Sequence, residues 1–60
     1  MTKEDFAAAL DTLGWKRAMT ATMFGVTERT IYRWLSGQDK IPRPAVKLAE
    51  LYLRYKTEEA

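Results

Sequence analysis

Apolar residues recur along this chain at helical spacing in four stretches, divided by short breaks that carry glycine or proline. Over residues 3–13, Phe6, Leu10 and Leu13 fall at i, i+4 and i+7 with Ala9 beside them, one apolar face of a helix. Thr2 is a good N-cap, and Asp5 stands three residues on as a near capping box. Gly14 suits the left-handed C′ position, after which Trp15 can fold back as the hydrophobic contact. A second, short helix is predicted over residues 17–24, with Thr20, Ala21 and Phe24 pointing inward. Lys16 is a poor cap for it, and Gly25 ends it. A third covers residues 28–36 behind Thr27 as cap, with Ile31, Trp34 and Leu35 as its buried stripe and Ser36-Gly37 as its stop. The fourth is predicted to start at Pro44, which suits the first helical position, and to run to residue 55. Its main apolar face is Ala45, Leu48, Ala49, Tyr52 and Tyr55, and residues 57–60 are expected to fray. No stretch alternates with period two. The expected fold is all-α, a compact bundle of four short helices in a single domain of residues 1–60.

Residues 17–36 carry the motif that points to function. Two helices at a steep angle need a tight turn, hence Gly25, and a small residue where they cross, hence Ala21. They also need apolar locks on either side, here Phe24 and Val26 before the second helix and Ile31 and Trp34 within it. This is a helix-turn-helix arrangement, the centre of the predicted bundle. The stretch FGVTERTIYRWLSG (24–37), followed by IPRPAVKLAELYL (41–53), resembles the DNA-binding domain of the phage lambda Cro and repressor class, the XRE-type helix-turn-helix family. The resemblance covers the chain from Phe6 to about Leu53. It departs from the family at Arg17, where the motif often opens with glutamine. The resemblance implies that the second helix of the motif lies in the major groove and reads base edges with its N-terminal residues, while the first abuts the phosphate backbone. By match to the family, Glu28, Arg29, Tyr32 and Arg33 hold the base-facing positions.

Composition narrows the alternatives. The 60 residues include neither cysteine nor histidine, which removes disulfides, Cys/His zinc sites, thiol nucleophiles and the usual imidazole base. Hydrophobic residues make up 47% of the chain, too many for a disordered one. No uncharged apolar run approaches the roughly 18 residues of a membrane span, and no signal-peptide pattern is present, so a cytoplasmic protein is expected. The net charge is only +2, but it is unevenly spread. Lys16, Arg17, Arg29, Arg33, Lys40, Arg43 and Lys47 face only Glu28 and Asp39 in the middle of the chain, between two acidic ends. A basic middle suits a polyanion, although seven cations over this length is a mild enrichment.

Most of the singled-out residues have two readings. Arg29 and Arg33 lie four apart on one face, where like charges cost an isolated helix about 0.2–0.5 kcal/mol and an opposing polyanion reverses the penalty. Arginine would most naturally take guanine through O6 and N7. Glu28 either complements the helix dipole in the first turn or accepts from cytosine N4, and the structural role weighs more. Thr27 is first a cap, whose hydroxyl the family pattern also brings to phosphate. Thr30 reaches a base methyl or a phosphate, or is simply solvated. Tyr32 contacts phosphate or a thymine methyl, or lies over Phe24 or Arg29. Lys16, Arg17, Lys40 and Arg43 flank the motif where the backbone would pass, and Arg43-Pro44 opens a helix whose free amides suit a phosphate. Trp15 and Trp34 belong to the core, the rival being stacking on single-stranded bases. Met19 and Met23 are peripheral core or an adaptable partner surface.

The function expected is sequence-specific double-stranded DNA binding by a transcription regulator, a repressor acting by operator occupancy. Sixty residues leave no room for a ligand-sensing domain. No catalysis is expected, since Asp39 and Glu50 read as isolated carboxylates; no cofactor, metal or small-molecule ligand is expected either. The alternative is a protein-interaction module on the same scaffold, antitoxin-like or sequestering a host factor. The apolar arc of the fourth helix is wider than docking on one core needs, with Leu51 on one flank and Val46 and Leu53 on the other. A homodimer through Val46, Leu51 and Leu53 and an inverted-repeat operator are therefore expected.

Overall fold

A computed structural model describes residues 1–59 and, among them, contains four helices and no strand. They are α1 (Lys3–Leu13), α2 (Arg17–Phe24), α3 (Glu28–Ser36) and α4 (Arg43–Glu59). Local chemistry sets their ends. Thr2 accepts from the Asp5 amide while Asp5 accepts from the Thr2 amide, a complete capping box. Gly14 is left-handed (φ 75°), and the amides of Gly14 and Trp15 close on Asp11 and Leu10 in a Schellman turn. Gly25 repeats the device at the end of α2, where Val26 donates to Ala21 at 3.0 Å. Lys16 makes no side-chain cap, as its chemistry implies. Its carbonyl instead accepts both the amide and the hydroxyl of Thr20, each at 2.9 Å, so the fully buried Thr20 hydroxyl is satisfied.

The core forms where α1 packs on α3 and α4 and α2 packs on α3. Phe6 sits at its centre, wholly buried, with its ring edge-to-face against both Phe24 and Trp34 at 5.8 Å. Leu10, Ala21, Ile31, Ala45 and Ala49 complete the cluster. Phe24 continues the aromatic contacts to Tyr52, and Tyr52 to Trp15 at 5.0 Å. The Tyr52 hydroxyl donates to the Met23 carbonyl at 2.9 Å, which ties α4 to the end of α2. Trp15 and Leu35 are half-buried against this core rather than within it. Trp34 is 5% exposed, so stacking on single-stranded bases is closed to it.

The fourth helix departs from expectation at both ends. It begins at Arg43, not Pro44; the Val46 amide donates to the Pro42 carbonyl at 3.0 Å. Pro44 as second helical residue is still within the first turn, where a missing N–H costs nothing. Residues 57–59, expected to fray, continue the helix, and the Thr57 hydroxyl closes on the Leu53 carbonyl at 2.9 Å. No glycine or proline follows Pro44 to stop it. Ala60 lies outside the described residues. Tyr55, placed on the inward face by periodicity, is 66% exposed. No described helix is long and apolar enough to cross a membrane.

Candidate functional site

Three residues, Gly25, Val26 and Thr27, join α2 to α3, which pack on one another as a helix-turn-helix. Burial of Ile31 and Trp34 fixes the rotation of α3 about its own axis, and this leaves Glu28, Arg29, Tyr32 and Arg33 exposed together. These are the four residues assigned to base reading. Thr27 caps α3 by accepting from the Thr30 amide at 3.2 Å, and the two hydroxyls lie 3.1 Å apart. The two hydroxyls thus meet within the chain, and Thr30 is half-buried. Glu28 stands in the first turn of α3, where a carboxylate complements the dipole.

Two contacts were not visible in the sequence. The Arg17 guanidinium lies over the Tyr32 ring, 5.8 Å from its centre, so the partner of Tyr32 is neither Phe24 nor Arg29. Arg33 pairs with Asp39, Nε to Oδ2 at 2.9 Å and Nη2 to Oδ1 at 3.4 Å. Asp39 is therefore not the isolated carboxylate its sequence position implied. Left-handed Gly37 (φ 84°) turns the chain back, and the Asp39 amide donates to the Arg33 carbonyl at 3.3 Å. Part of the relief that the Arg29–Arg33 repulsion requires thus comes from within the chain. The spacing of Arg33 and Asp39 across a helix-stopping glycine is the one sequence signal that points to this pair.

Lys16, Arg17, Lys40 and Arg43 are exposed. Arg17 touches α3 through Tyr32. Pro44, as second residue of α4, has no amide to offer an anion, so the phosphate site expected there is narrower. Lys3, which the sequence groups with the acidic start of the chain, lies against Gly37: a Cβ at that glycine would come within 3.1 Å of Lys3 Cδ. The turn after α3 therefore gathers one more cation than sequence order implies.

The flanks of α4 are separated by the structure. Leu51 (56% exposed) and Tyr55 stand out on one side, and half-buried Val46 and Leu53 lie on the other. At 100° per residue, Leu51 and Leu53 are about 200° apart, so the three expected interface residues do not share one patch. Met19 is likewise exposed, and Met23 half-buried. Comparison with protein-family models, with curated proteins and with solved structures finds no match for this chain, so its family resemblance rests on the motif residues alone.

Proposed function

We propose that this chain binds double-stranded DNA sequence-specifically and regulates transcription by occupying an operator. The observation that carries the reading is the exposure of Arg29, Tyr32 and Arg33 on the second helix of a helix-turn-helix whose inward face is filled by Ile31 and Trp34. A helix so presented fits the major groove, and its arginines suit guanine edges. Lys16, Arg17, Lys40 and Arg43 supply phosphate contacts around it, and Thr27 sets the start of α3 through its cap. On this reading the chain works in the cytoplasm of a bacterial or phage-infected cell.

The test is selection of bound duplexes from a random pool, followed by binding at several salt concentrations. A selected sequence and a steep fall of affinity with salt are expected. Lys40→Ala and Arg43→Ala should weaken binding about equally on all sequences and reduce the salt slope by about one unit each. An unchanged slope removes those residues from the phosphate contacts. A chain that enriches no duplex supports the protein-interaction module instead.

One small domain reads one half-site, whereas a two-fold pair reads two, about 34 Å apart. We infer that the second copy docks on the Leu51 and Tyr55 flank of α4, the side with the most exposed large apolar groups on that helix. Leu51→Glu should give a monomer by sedimentation with an unchanged helical circular dichroism spectrum. A wild-type chain that saturates a non-palindromic site as a monomer refutes the dimer.

A further inference from the structure

Arg33 is the only reading-face cation with an anionic partner among the described residues, and the geometry of that partner is specific. A guanidinium has five N–H donors arranged on distinct edges. Asp39 occupies the edge formed by Nε and Nη2, at 2.9 and 3.4 Å. The remaining edge, between Nη1 and Nη2, keeps two parallel N–H groups. That fork matches the O6 and N7 acceptors of guanine. Asp39 is itself tethered to the same residue, since its amide donates to the Arg33 carbonyl. The Ser36 hydroxyl closes on that carbonyl too, at 3.2 Å. The carboxylate is thus carried by a turn anchored to the helix that bears its arginine.

An ion pair whose side chains are 45% and 46% exposed adds little to stability. A carboxylate close to a DNA-facing helix also repels phosphate. Beyond a small relief of the Arg29–Arg33 repulsion, neither the fold nor non-specific affinity accounts for Asp39 at this place. We propose that Asp39 is a positioning residue for recognition: it holds Arg33 by one edge so that the other is presented, pre-aligned, to a guanine in the major groove. This rests on the DNA-binding reading above and names the base that Arg33 reads. The pair sets specificity in two ways. It restricts the rotamers of a long, flexible side chain before binding, so less freedom is lost on contact. It also lowers the charge that Arg33 offers to any phosphate, which disfavours non-specific contact relative to the guanine edge.

The opposite arrangement would be a latch, in which Asp39 competes with DNA and holds Arg33 back. The two differ in sign. The experiment first selects duplexes with the wild-type chain. It then compares affinity for the selected duplex with affinity for duplexes carrying adenine or 7-deazaguanine at each selected guanine. Asp39→Ala should reduce the preference for the guanine read by Arg33 by about five- to tenfold while affinity for random duplex holds or rises. Asp39→Asn keeps one acceptor oxygen at the same reach and should recover part of the preference. Arg33→Ala and the Arg33→Ala, Asp39→Ala double variant should show the same residual preference, because Asp39 acts only through Arg33. Thermal melts of all variants should stay close to that of wild type. Tighter binding of Asp39→Ala to the selected duplex with its preference intact establishes the latch and overturns the proposal. So does a preference indifferent to Asp39 in a chain that selects a sequence. A wild-type chain that selects no sequence overturns the DNA reading itself, and the positioning role with it.

Discussion

Trp34→Ala should unfold this protein. The side chain is 5% exposed and meets Phe6 and Phe24 edge-to-face, at 5.8 and 6.3 Å. Removing a buried tryptophan costs about 3–5 kcal/mol, the lost transfer free energy plus the cavity left behind. A domain of this size has about that much stability in total. The helical circular dichroism signal should therefore collapse at room temperature. Trp34→Phe keeps an aromatic edge toward Phe6 and fills most of the space, so it should remain folded with a lower melting temperature. A folded Trp34→Ala would instead show that the core does not depend on this side chain. The consequence reaches beyond stability. Trp34 and Ile31 are the buried residues of α3, so they set which side chains that helix exposes.

Helix boundaries were legible wherever a cap decides them. Thr2 with Asp5, Gly14, Gly25, Thr27 and Gly37 are local devices, each complete within a few residues, and each acts where its chemistry predicts. Tyr55 was misplaced for the opposite reason. Helical periodicity states which side of α4 is apolar, but not where the partner helices end. α1 has 11 residues, α3 has 9 and α4 has 17. At 1.5 Å per residue, α4 is about 9 Å longer than its longest neighbour, and Tyr55, on the Leu51 flank in its last turns, is left in solvent. The spacing of Arg33 and Asp39 across Gly37 permits their pair, but the path of the turn, which spacing does not fix, decides it. Exposure of Glu28, Arg29, Tyr32 and Arg33, by contrast, followed directly from the burial of Ile31 and Trp34 on the same short helix.

The same rotation of α3 sets the largest expected effect on recognition. Arg29 and Arg33 are exposed one turn apart, and among the described residues only Arg33 of the two has an ion-pair partner. Replacing both with alanine should leave the fold intact. The like-charge repulsion removed at i, i+4 is worth about 0.2–0.5 kcal/mol in favour of the variant. Losing the exposed Arg33–Asp39 pair costs about 0–1 kcal/mol, so the two changes nearly cancel. Alanine is also a better helix former than arginine, although the difference is small. Discrimination on DNA should behave differently. Each bidentate base contact carries about 1–3 kcal/mol, so the double variant should lose about 2–6 kcal/mol of preference for the selected site over random duplex. What remains is the phosphate component, carried by Lys16, Arg17, Lys40 and Arg43, and it should keep a salt dependence close to that of the wild type on random DNA. The measurement is the ratio of affinities for selected and random duplex, taken at one fixed salt concentration, with melting curves alongside. If the double variant keeps the wild-type ratio, the exposed face of α3 is not the reading surface. The DNA contact would then have to be sought on another face, beginning with the hollow beside Gly37 that Lys3 and Lys40 both line.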